Sequence, residues 1–128
     1  INRGWHFDIV RGTEGKSEFG ERQGRHIYMA QQASVGGTYF HTSRKEYKAG
    51  EQRLACVTEW WSHATFNAKW RFKGPNGELH EFNRHEIPKD SNLSWEYLKP
   101  EQQTPGKWIC EVEAPTNPIL TVEFTLTE

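Results

Sequence analysis

The chain has 128 residues, 34% hydrophobic and 26% charged, with 16 Lys and Arg against 17 Asp and Glu. That length suits one domain spanning residues 1–128, long enough to bury roughly two-thirds of its unfolded surface. The balanced charge excludes the basic stripe of a nucleic-acid binder and the polybasic segment of a membrane-surface anchor, and no apolar run approaches the ~20 residues of a membrane span.

Helical periodicity is missing, whereas alternation with period two recurs along the chain. Weak strands are expected over residues 5–10, 26–31 and 38–42, with the glycine- and charge-rich residues 12–24 as a loop between the first two. Lys48-Ala49-Gly50 reads as a turn leading into a strand over 52–61. Over 69–73, Trp70 and Phe72 alternate with Lys69, Arg71 and Lys73, and the chain then meets Pro75-Asn76-Gly77. Asn-Gly tolerates the positive φ angles of a type I′ turn, so a hairpin into residues 78–83 follows, with Leu79 and Phe82 expected to return to the sheet. A turn over 89–92 leads into a strand over 94–98. In 107–113 the inner face carries Trp108, Cys110 and Val112. At the C-terminus Val122, Phe124 and Leu126 face one way, and Thr121, Glu123, Thr125 and Thr127 the other. Strands at intervals of about 8–15 residues with turns between them describe an all-β, two-layer antiparallel sandwich or a barrel.

Cys56 and Cys110 fall on two strands central to this pattern, 54 positions apart. If paired they would contribute ~4 kcal/mol in the chain-entropy account and require an oxidising compartment; if unpaired they are small buried hydrophobes. Trp70 follows Cys56 by fourteen positions, and Gly106-Lys107-Trp108-Ile109 runs into Cys110. Here the chain resembles the immunoglobulin superfamily over roughly residues 37–128. The resemblance implies an immunoglobulin-like β-sandwich with extra N-terminal strands, a disulfide between Cys56 on strand B and Cys110 on strand F, and Trp70 on strand C as the core tryptophan. It also implies an extracellular or periplasmic setting, which fits a chain starting at Ile1 as a mature product or an excised domain. Trp108 and Thr104 stand where the family has the tyrosine and aspartate of its F strand, so a tyrosine corner is not expected in its usual form.

Catalytic signatures are scarce. The histidines His6, His26, His41, His63, His80 and His85 show no HxH, HxxxH or HExxH spacing, and there is no GxSxG elbow or phosphate-binding glycine loop. No metal, cofactor or catalytic residue is therefore expected, and a metal-dependent enzyme built from cross-strand histidines is the least favoured alternative. Asn92-Leu93-Ser94 forms an N-glycosylation sequon in an expected loop.

The six tryptophans are the better functional signal. Trp70 and Trp108 serve the core, but adjacent Trp60 and Trp61 must point to opposite faces of a strand, so one leaves the interior unless another element covers it. Trp60, Trp61, His63 and Trp95 thus form the candidate binding surface. Such a surface suits an aromatic hot spot for another protein, and alternatively a platform on which a glycan stacks. The expected function is a non-catalytic binding domain that recognises another protein through a sheet face or end loops.

Overall fold

A computed structural model describes residues 6–8, 14–16, 24–32, 38–40, 45–90, 92–115 and 117–128. Eleven strands lie among them: β1 (His6–Asp8), β2 (Glu14–Lys16), β3 (Gly24–Gln32), β4 (Thr38–Phe40), β5 (Glu46–Lys48), β6 (Leu54–Trp60), β7 (Phe66–Lys73), β8 (Leu79–Ile87), β9 (Asn92–Leu98), β10 (Gly106–Glu113) and β11 (Leu120–Thr127). They form two open sheets packed as a sandwich. One has β3, β6 and β9 at its heart, extended by the short β1, β2 and β4; the other runs β5-β11-β10-β7-β8. Pairing is antiparallel except for two short edge pairs, β1 with β4 and β5 with β11.

The core between the sheets follows the alternation of the sequence. Trp70 and Phe72 of β7, Trp108, Cys110 and Val112 of β10, and Val122, Phe124 and Leu126 of β11 meet Ile27, Met29, Leu54, Cys56 and Trp60 of the opposite sheet. Burying side chains of this size contributes about 1.5–3 kcal/mol each before entropy is charged against them. Cys56 and Cys110 form a disulfide with Cα atoms 6.7 Å apart, covalently joining the two sheets. Trp70 packs in this interior and its Nε1–H donates to the Cys56 carbonyl at 3.0 Å. Trp108 donates its Nε1–H to the Thr104 carbonyl at 2.8 Å, four residues upstream.

Several local expectations change. The β7–β8 hairpin is present, but only Gly77 of its tip has a positive φ, 86°. The tip is thus a turn closed by a left-handed glycine and not a type I′ turn, which needs two positive φ angles. The Gly74 N–H donates to the Glu78 carbonyl, and the Asn76 N–H donates to the Glu78 carboxylate at 2.7 Å. Together with the Glu78 N–H, that bond holds the carboxyl below its ordinary acidity range. Leu79 faces solvent at 52% exposure, while Phe82 packs against the core. Parity decides this, since β8 turns its even-numbered side chains inward up to Arg84. The 12–24 segment contains β2, paired with β3. The 89–92 turn gives way to β9 at Asn92, so the sequon lies in a strand with its Ser94 buried. Trp5 and His41 fall outside the described residues.

Candidate functional site

The strand directions sort the connections into two ends. The β6–β7, β8–β9 and β10–β11 connections share one end, and β5–β6, β7–β8 and β9–β10 share the other, because consecutive strands in this part of the chain run alternately up and down. The second end is a structural seal. Gln103 is buried there, accepting from the Gly50 N–H at 2.8 Å and donating to the Gln52 and Leu98 carbonyls at 2.7 and 3.0 Å. At the first end the Asp90 N–H donates to the Ser62 carbonyl at 2.8 Å, tying two connections together.

The four residues expected to share a binding surface do not. Trp60 is an interior residue, 2% exposed, with its ring edge-on to Phe66 at 4.8 Å and to Trp70 at 6.1 Å. This corrects its assignment to the surface: as the inward member of the Trp60–Trp61 pair it fills the core at the end of β6. Trp61 is half-buried in the β6–β7 connection and meets the exposed His63 edge-on at 4.4 Å. Trp95 lies elsewhere, on the outer face of β9, where its indole N–H donates to the Tyr97 hydroxyl at 2.8 Å. Cys56, Cys110, Trp70 and Trp108 all occupy the core.

The two outer sheet faces differ sharply. On the β3-β6-β9 sheet Tyr28, Ala30, Ala55 and Val57 are 0% exposed and form a second apolar cluster, flanked by half-buried Leu93, Trp95 and Tyr97. The five-stranded sheet presents charge. Register places Arg71 of β7 between Glu81 of β8 and Glu111 of β10. Its guanidinium bonds Glu81 at 3.1 Å and Glu113 at 2.5 Å and lies 3.8 Å from Glu111, which also pairs with Lys73 at 3.1 Å. The hydrogen bond to Glu113 is the main cause of a raised Arg71 pKa, opposed by partial burial and helped by Glu81. Leu79 and the half-buried Ile109 flank Lys73 in the neighbouring row. At the loop end of the same face an open groove of about 300 Å³ is lined by residues of β7, β8 and the end of β10.

Sequence reasoning missed this face as a unit. Its signal was present in the basic alternation at 69, 71 and 73 and the acidic residues at 81, 111 and 113, but only register brings them side by side. Chemically the face is a set of fixed charges and hydrogen-bonding groups with two apolar side chains in the row beside them. Among the described residues no three His, Cys, Asp or Glu side chains converge as a metal site, and no helix is long and apolar enough to cross a membrane. No family model matches the chain, and no curated protein matches it.

Proposed function

We infer that the chain is a non-catalytic domain of immunoglobulin-like type that binds another protein with the outer face of its five-stranded sheet. The observation that carries this reading is the contrast between the outer faces: one sheet's is apolar and sealed, with Tyr28, Ala30, Ala55 and Val57 at 0% exposure, and the other's is open. Mixed charges fixed by ion pairs, with the exposed Leu79 and half-buried Ile109 in the row beside them, give this face both the polar and the apolar groups that protein interfaces use. The type assignment is supported by the strand order, the inter-sheet disulfide with Trp70 beside it, and the Trp108–Thr104 bond. The same disulfide supports an oxidising compartment, extracellular or periplasmic; a count of two free thiols in protein taken from its native host would remove that inference.

Photo-crosslinking tests the face directly. A benzophenone residue at position 79 or 123, on the open face, should trap one and the same protein in the native host, while one at position 101, on the sealed end, should not. Adducts concentrated at position 63 would move the contact to the loop end. Saturable quenching of tryptophan fluorescence by a glycan, abolished in Trp61→Ala, would replace the protein partner by a sugar.

A further inference from the structure

Charges on the open face are matched in two adjacent rows, where Arg71 is held by Glu81 and Glu113 and Lys73 by Glu111. One row toward the loop end the matching stops. Lys69 stands between Asn83 of β8 and Glu113 of β10 in the register, but Glu113 is drawn to Arg71, and Lys69 forms no ion pair among the described residues. This row is where the open groove of about 300 Å³ lies, bordered by Asn67, Lys69, Asn83, His85, Glu113 and Pro115.

A bulge shapes the groove. The β7–β8 register shifts between Phe66 and Ala68, and Glu86 adopts a left-handed φ of 55°, a conformation that is strained for a non-glycine residue. The Asn67 side-chain oxygen accepts from the Glu86 N–H at 3.0 Å and holds the kink in place. With the extra residue absorbed there, Ile87 returns to the core while Asn83 and His85 both stay exposed beside Lys69. Fixing the Asn67 oxygen also leaves its amide N–H groups as donors. The groove therefore gathers an ammonium, two amides and an imidazole, and its one carboxylate is already engaged by Arg71.

We propose that this groove receives a carboxylate, supplied by an acidic side chain of the protein partner. The proposal rests on the face reading above and gives it a chemical anchor. A carboxylate accepts from several donors at once and forms charge-assisted bonds with Lys69. A phosphate dianion suits the site less, because Glu113 at its border repels a second negative charge, and a neutral amide leaves Lys69 without an opposite charge.

The test uses the whole chain and small probes followed by NMR. N-acetylglutamic acid α-amide should give saturable shifts at the Asn67 and Asn83 side-chain amides, and its glutamine counterpart should not. In Lys69→Met the affinity should fall about tenfold, as expected for loss of one charge-assisted bond, with the thermal midpoint unchanged. No saturable shift, equal shifts from the glutamine probe, tighter binding of inorganic phosphate, or an unaltered affinity in Lys69→Met would each overturn the proposal. Position 79 lies at the far end of the face, so crosslinking there together with failed titrations would leave the face reading standing and remove the groove. Saturable glutamate shifts with no crosslink would overturn the protein partner.

Discussion

The outer face of the β3-β6-β9 sheet and the outer face of the β5-β11-β10-β7-β8 sheet are made by the same kind of strand, yet one is a second core and the other an ion-paired surface. The source of the difference is parity in the sequence. β6 reads Leu-Ala-Cys-Val-Thr-Glu-Trp and is buried on both sides for most of its length, while β7 alternates buried aromatic with basic residues. A strand apolar on both sides needs cover on both sides, and one that alternates can leave a side to solvent. Among the described residues only the five-stranded sheet leaves its outer face to solvent. The sheets are also clasped at one flank. Arg84 of β8 donates to Glu96 of β9 at 3.0 and 2.8 Å and to the Trp95 carbonyl at 2.8 Å, which joins the edge strands of the two sheets.

Substitutions on the two faces should differ widely in their cost. The largest effect should come from Ala55→Asp, which forces a charge into the sealed face and should lower stability by about 4 kcal/mol or more in urea unfolding. A change within ordinary surface scatter would show that face to be open. Next is Arg84→Met, which leaves the Trp95 carbonyl and Glu96 without their donor; a loss of about 1–2 kcal/mol is expected, moderated by the partial exposure of the pair. Arg71→Met on the open face should cost less than about 1 kcal/mol, and the cost should shrink further in molar salt, where exposed pairs are screened. The smallest effect belongs to Thr121→Lys, which adds a cation opposite Glu111 and should stay within about 0.5 kcal/mol of the parent. If Arg71→Met rivalled Ala55→Asp, the ion-paired face would have to be regarded as part of the structural core.

Much of this architecture was legible in the residues. Alternation at Val122, Phe124 and Leu126 located β11 and its inward face, and Trp70, Cys56 and Cys110 stand in the core where their pattern placed them. Other features depend on contacts far apart in sequence. β5 is three residues long and pairs in parallel with β11 some 80 positions away, so nothing local announces it. Adjacent Trp60 and Trp61 had to diverge, but a strand buried on both sides gives no alternation to say which one enters the core. The charged face required the registers of three strands, and the groove required a bulge whose cause, the Asn67 bond to the Glu86 backbone, has no sequence signature. Trp108 could be placed on the inner face of its strand from alternation, but the bond from its indole to the Thr104 carbonyl became evident only from geometry.

The most direct measurement compares the two faces in the native state. A single thiol is placed at position 55 by Ala55→Cys or at position 121 by Thr121→Cys, with the Cys56–Cys110 disulfide intact, and its modification by a soluble aromatic disulfide is timed. The thiol at 121 should react as fast as in the unfolded chain and the thiol at 55 should be slowed by on the order of a hundredfold or more, because its exposure requires an opening of the fold. Equal rates at the two positions would contradict the claim that one face is sealed and the other left open for a partner.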